Sequence, residues 1–236
     1  MKLKNFSKSL LTTALCASAQ VASAADISVT ITNLTNGNHF TPLLVSAHDA
    51  NTHLFQVGSM ASANLTAMAE CGDIAGLLTD LGGVDADTIE NPAAGLLAPG
   101  ASTTANLMTM ASNTHLTITA MVLPTNDAFI GMDSMALPTT AGTYSYYLNA
   151  YDAGTEANDE LLPGTDCAAG VAGIPAAPGM NGGMNGTGVA GADTNTMIHV
   201  HRGVLGDSDD MGGKSDLNNT IHRWQNPVAK VVVTVK

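Results

Sequence analysis

Between Pro124 and Glu160 the chain carries six carboxylates, Asp127, Asp133, Asp152, Glu156, Asp159 and Glu160, and no lysine or arginine. Five of its eight Phe and Tyr residues, Phe129, Tyr144, Tyr146, Tyr147 and Tyr151, fall in the same stretch. Acids gathered without cations of their own cost free energy unless something positive sits among them, and aromatic rings supply rigid packing nearby. The pattern reads as a cation site on loops at strand ends. Calcium suits it, because that ion takes about six to eight oxygens in flexible geometry from carboxylates, carbonyls and water. Asp152 and Glu156 stand either side of Ala153-Gly154-Thr155, and Gly154 permits a tight turn that aims both at one point. A solvated acidic loop is the other reading of the same residues.

Histidines offer a rival site. His199 and His201 are two apart, so on a strand they share a face opposite Ile198 and Val200. Joined by His48, His53 or His222 they would make a zinc or copper site in a periplasmic metal-binding protein or metal-dependent enzyme; otherwise they are the polar face of a strand. Catalytic patterns are weak elsewhere. Ser134 in Gly-Met-Asp-Ser-Met is no nucleophile elbow. Residues 183–188, Gly-Met-Asn-Gly-Thr-Gly, lack the strand-to-helix setting of a phosphate cradle. Cys71 and Cys167 are too distant for a redox pair of the Cys-x-x-Cys type. The chain reads as a non-enzyme.

The elements that must position these groups are mostly strands. Ile27, Val29 and Ile31 alternate with Ser28, Thr30 and Thr32, the period of a half-buried strand, and Asn36-Gly37 marks a turn. Residues 40–58 look extended, broken by a loop around Asp49-Ala50-Asn51. Two short helices follow. One carries Leu65, Met68 and Ala69, with Ser62 or Asn64 at its start; the other carries Ile74, Leu77, Leu78 and Leu81, with Asp73 as N-cap and Gly82-Gly83 at its end. Strands resume with a run through Leu107 and an alternation of Leu116, Ile118, Ala120 and Val122. A strand over Tyr144–Tyr151, an ordered segment at 197–203 and a C-terminal strand bearing Val231, Val233 and Val235 complete the set. Residues 168–196, rich in Gly, Ala, Asn and Met, read as a long loop, and 207–210 as a second acidic loop. Many short strands and little helix predict a mainly β fold, an antiparallel β-sandwich with short inserted helices.

Composition narrows the setting. Lys2, Lys4 and Lys8, an apolar run at 10–19 and Ala22-Ser23-Ala24 predict a secretory signal peptide over residues 1–24 and a mature domain over 25–236. The apolar run is too short to span a bilayer. Losing three lysines takes the formal charge from -12 to -15. That balance disfavours nucleic acid and anionic membrane as direct partners, and no second long apolar segment predicts membrane insertion. Two cysteines remain, Cys71 and Cys167. In an exported chain they predict one disulfide, with two separate buried thiols as the alternative. The expected location is secreted, periplasmic or at the cell surface.

Several segments together carry a family resemblance: Ile-Thr-Asn-Leu-Thr-Asn-Gly-Asn-His-Phe-Thr-Pro-Leu-Leu-Val-Ser-Ala-His (31–48), Gly-Met-Asp-Ser-Met (131–135), Tyr-Asp-Ala-Gly-Thr-Glu (151–156), His-Val-His-Arg-Gly (199–203) and Trp-Gln-Asn-Pro-Val-Ala-Lys-Val (224–231). In this order they resemble the spondin N-terminal domain in a secreted bacterial form, over nearly all of residues 25–236. The resemblance implies a β-sandwich like a C2 domain, with calcium held by acids on loops at one end. Carried over by motif, the ligands are Asp127, Asp152 and Glu156, the last standing where animal members more often have Asp. No carboxylate occurs between Pro99 and Asn126, so any ligand that the family draws from that hairpin is missing. Animal members are matrix and adhesion proteins with further modules, which points to a recognition or adhesion role with an unidentified protein or glycan partner.

Overall fold

The computed structural model describes residues 24–236 apart from 163, 165–166, 169, 171–172, 181–184, 190–194 and 210–211. The expected leader therefore lies, except for Ala24, outside the described residues, as does part of the loop at 168–196.

Among the described residues, eleven strands and two helices follow one another. They are β1 (Asp26–Asn33), β2 (His39–Phe40), β3 (Leu44–His48), α1 (Ala63–Cys71), α2 (Ala75–Gly82), β4 (Asp87–Glu90), β5 (Ser102–Met108), β6 (His115–Leu123), β7 (Ala128–Ala136), β8 (Gly142–Leu148), β9 (Ala150–Asp152), β10 (His199–Val200) and β11 (Ala229–Val235). All pairings between these strands are antiparallel. One sheet runs β5-β1-β11-β8; the other runs β10-β9-β7-β6-β3-β4, with β2 also on β6. The expected mainly β architecture is present.

The alternation along β1 does what its period dictates. Ile27, Val29 and Ile31 are fully buried and meet Val231 and Val233 of β11 in the main core. Their neighbours face outward, where the hydroxyls of Thr30 and Thr104 lie 2.9 Å apart and those of Thr32 and Ser102 2.7 Å apart. Strand β6 departs from the expected one-sided pattern, being buried along both faces. Leu116, Ile118, Ala120 and Val122 join the main core, whereas Thr119 points toward Met68 of α1, its hydroxyl 3.7 Å from the sulfur. The helices close the second face over Leu65, Met68, Leu77, Leu81 and Phe129. Ser62 caps α1 as expected, its Oγ accepting the Leu65 N–H at 3.1 Å. Asp73 acts one residue earlier than a regular cap: Ile74 occupies the N-cap position, and Asp73 Oδ1 accepts the Ala75 N–H at 2.9 Å.

Two expectations need correction. The single strand over Tyr144–Tyr151 is two strands in different sheets, β8 and β9, separated at Asn149. The crossing is fixed by the Ala150 N–H, which donates to Asn226 Oδ1 at 2.7 Å. The aromatic residues also part company. Phe129 and Tyr151 pack with Phe55 beneath the helices, Tyr144 and Tyr146 pack against the main core, and Tyr147 is 62% exposed.

Cys71, the last residue of α1, is bonded to Cys167 across a separation of 96 residues. The expected disulfide is therefore formed.

His48 ends β3 fully buried, with hydrogen bonds that suit the neutral ring. Nδ1–H donates to the Asp49 carbonyl at 2.8 Å. The Thr117 hydroxyl donates to Nε2 at 2.7 Å while accepting the Ser134 N–H at 2.9 Å. Burial holds the His48 pKa below its ordinary 6.5, outweighing the nearby Asp133 and Asp49. As pH falls below 6.5 the unfolded chain takes up this proton first, so the contribution of His48 to stability is present near neutrality and is lost on acidification. Urea unfolding from about pH 7 to about pH 5 is expected to show a larger acid loss in the wild type than in His48→Gln. Equal losses would contradict this assignment.

Candidate cation site

Asp127 is the centre of the acidic region. It directly precedes β7, and the pairing of Ala128 with Asp152 brings β9 alongside it. The turn after β9 then wraps onto the Asp127 side chain. Oδ2 accepts the Thr155 N–H at 2.8 Å, the Thr155 hydroxyl at 3.2 Å and the Glu156 N–H at 3.1 Å. Gly154 makes this wrap possible: its φ is +72°, and a Cβ there would stand 2.6 Å from the Thr196 carbonyl carbon. The tight turn anticipated at Ala153-Gly154-Thr155 is thus present for the stated reason.

Asp127 is fully buried, and its other oxygen, Oδ1, has no hydrogen-bond partner among the described residues. Burial and the charge of Asp152 push its pKa up to about 6, against the downward pull of the Thr155 and Glu156 hydrogen bonds. Glu156 Oε2 is likewise buried and without a partner. Burial, then Glu70, then Asp127 push Glu156 up to about 8, with an Asn126 hydrogen bond opposing and Asp159 adding to the rise. A buried carboxylate oxygen with neither donor nor cation is costly, so two such oxygens beside one another are a signal.

Asp152 is held differently. Oδ1 accepts the Gly154 N–H at 2.7 Å, and Oδ2 accepts the Asn158 side-chain amide. His199 Nε2 lies 3.7 Å from Oδ2, across the pairing of β10 with β9. The three acids anticipated from the sequence are therefore neighbours around Asp127. Among the described residues, no group of three or more His, Cys, Asp or Glu side chains is placed so that it could hold a metal ion.

The remaining acids of 124–160 have structural partners. Asp133 lies on β7, where Oδ1 accepts the Leu54 N–H at 3.0 Å and Oδ2 meets His53 Nδ1 at 2.5 Å. Glu160 accepts the N–H groups of Leu205 at 2.6 Å and Gly206 at 2.9 Å and the Ser215 hydroxyl at 2.6 Å, ordering the loop beyond β10. In the second acidic loop, Asp207 accepts the N–H groups of Asp209, Lys214 and Ser215 at 2.7–3.0 Å.

The histidines do not converge. His199 leans toward Asp152; the His201 ring packs on Trp224 at a centroid distance of 5.0 Å. His48 is tied to Thr117, His53 to Asp133, and His222 Nδ1 accepts the Asn218 N–H at 3.1 Å. A strand places alternate side chains on one face, but β10 is only two residues long and ends before His201.

A further buried acid with an unpartnered oxygen was not anticipated. Glu70, in the last turn of α1, is fully buried, and its Oε1 has no partner among the described residues. Its signal in the sequence is slight: one carboxylate in an otherwise apolar and polar-neutral helix, directly before a cysteine.

A family model described as Spondin_N matches residues 32–160. That span runs from within β1 past β9 and includes Glu70, Asp127, Asp152 and Glu156. No match was found among curated proteins. No helix among the described residues is long and apolar enough to cross a membrane.

Proposed function

The chain belongs to the spondin N-terminal domain family, and from that premise we propose that it is a secreted, non-catalytic module that binds calcium through Asp127, Asp152 and Glu156 and acts in recognition or adhesion at a cell surface or matrix. The family is one of extracellular-type domains, and the Cys71–Cys167 bridge fits an oxidising compartment. The observation that carries the calcium reading is the pair of buried, unpartnered oxygens, Asp127 Oδ1 and Glu156 Oε2. Carboxylate oxygens are hard donors suited to calcium rather than to zinc or copper. The turn at 153–156 orients Asp127, the β7–β9 pairing sets Asp152 beside it, and bound calcium would offset the charge that burial now penalises. Its partner is a protein or carbohydrate surface; the formal charge of -12 disfavours nucleic acid.

Ligand linkage makes the reading measurable. Calcium at about a hundredfold over Kd is expected to stabilise the fold by about 2.7 kcal/mol. Chelation should lower the melting temperature and calcium should restore it. Asp152→Asn is expected to remove most of this response, whereas Asp209→Asn in the second acidic loop should retain it. A melting temperature indifferent to chelator, or the same response in both variants, would overturn the assignment.

A further inference from the structure

A cleft of about 450 Å³ opens between the second acidic loop and Gly179-Met180, a size that suits a small ligand. Among the described residues, none of the acids assigned above to calcium lines it. The loop that walls it is sewn together by its own backbone. The Asp207 N–H donates to the Leu217 carbonyl at 2.9 Å, and the Asn219 N–H donates to the Asp207 carbonyl at 2.9 Å. Asp216 is buried in the same wall, its Oδ1 accepting the Gly186 N–H at 2.8 Å and its Oδ2 the Leu162 N–H at 2.7 Å. Asp207 Oδ2 accepts the Lys214 and Ser215 N–H groups, whereas Oδ1 accepts a single bond, from the Asp209 N–H at 3.0 Å, and so has room for a second. Beside these carboxylates stand the apolar side chains of Met180 and Ile221, the latter 45% exposed.

His222 decides what the cleft can take. It lines the cleft yet is only 7% exposed. Nδ1 accepts the Asn218 N–H at 3.1 Å, and a backbone amide can only donate, so the proton of the neutral ring is on Nε2. Burial, with His39 adding to it, holds the His222 pKa below its ordinary 6.5 and keeps the ring neutral near pH 7. Nε2–H has no hydrogen-bond partner among the described residues. Asn218 repeats the pattern: its Oδ1 accepts the Thr220 N–H at 2.8 Å and the Thr220 hydroxyl at 2.6 Å, while its Nδ2 donates to no described residue. Two open donors therefore share one wall with carboxylates. An ammonium or guanidinium guest carries donors alone and would leave both unanswered, and an anion would meet the acids. A hydroxyl accepts from the one set and donates to the other. We propose that this cleft is a saccharide-binding site: sugar hydroxyls accept from His222 Nε2–H and Asn218 Nδ2–H and donate to Asp207, and a C–H face of the ring packs on Met180 and Ile221. This rests on the recognition role proposed above, to which it gives a ligand class, and it does not draw on calcium.

The test uses the full mature chain, stripped with chelator and titrated by NMR with glucose, galactose, mannose and N-acetylglucosamine in turn. At least one sugar is expected to bind and to shift the His222 Nε2–H signal. His222→Asn keeps an acceptor for the Asn218 N–H and loses Nε2–H. Asn218→Asp keeps the acceptor for Thr220 and turns the donor into an acceptor. Each should weaken the bound sugar about fivefold, the worth of one hydrogen bond, with the folded spectrum retained. Arginine amide and glucuronate are the cationic and anionic comparisons and should bind more weakly than the sugar. No binding by any of the four sugars would overturn the proposal, as would wild-type affinity in both variants or tighter binding of arginine amide. Calcium and saccharide are read separately. Sugar binding by a protein whose melting temperature ignores calcium would leave the cleft standing and the calcium site overturned; a calcium response without sugar binding would do the reverse.

Discussion

Replacing Cys71 and Cys167 together by serine is expected to lower the unfolding free energy by about 4 kcal/mol, the estimate for closing a loop of this size in the unfolded chain. The bridge spans 96 residues, and within that loop lie α2, β4, β5, β6, β7, β8 and β9. Breaking it releases conformational freedom in the unfolded chain across the 96-residue span while leaving the folded-state contacts of the two sheets in place. The cost should therefore appear mainly as a lower urea midpoint with native-like spectra in the folded baseline. The wild type under reductant should behave in the same way. A loss well under 1 kcal/mol would mean that the unfolded chain is already restricted between these residues.

Truncating Phe129 to alanine is expected to cost about 3–5 kcal/mol, the usual range for removing a buried Phe ring. Phe129 is fully buried on β7, edge-on to Phe55 at a centroid distance of 5.0 Å and tilted against Tyr151 at 5.8 Å. These rings pack where β7 and β9 pair, with Phe129 opposite Tyr151 in the register. The same pairing sets Ala128 opposite Asp152, so the ring lies beside the acids that it helps to align. Phe129→Ala should consequently weaken the calcium response as well as the fold. Tyr147→Ala is the control: that side chain is 62% exposed and its loss should stay within about 0.5 kcal/mol. Equal costs at the two positions would contradict the packing described for Phe129.

Much of this arrangement is legible in the amino-acid sequence. The alternation of Ile27, Val29 and Ile31 with Ser28, Thr30 and Thr32 is local, and it specified β1 and its buried face. Ser62 declared the start of α1 for the same reason. Where the outcome depends on what lies across space, the one-dimensional pattern fell short. Tyr144–Tyr151 is continuous in apolar and aromatic character, yet it changes sheets because Asn226, far along the chain, takes the Ala150 N–H. Strand β6 is buried on both faces because α1 packs on one of them, with Thr119 against Met68. At the site, Gly154 and the acids flanking it advertised a turn that gathers carboxylates. Glu70 did not advertise itself, since its burial depends on the packing of α1 and on the segment that the distant Cys167 brings to it. Nor does acid density alone separate Asp127, with its bare oxygen, from Asp133, whose oxygens already meet His53 and Leu54.

Metal content is the most direct test of the central claim. Protein purified from its natural compartment without chelator, or produced in secreted form with calcium present, should contain about one calcium per chain by elemental analysis and no stoichiometric zinc or copper. Asp127→Asn, prepared identically and shown to be folded, should carry far less. Absence of calcium from the wild type, or stoichiometric zinc or copper in its place, would contradict the calcium site built around Asp127.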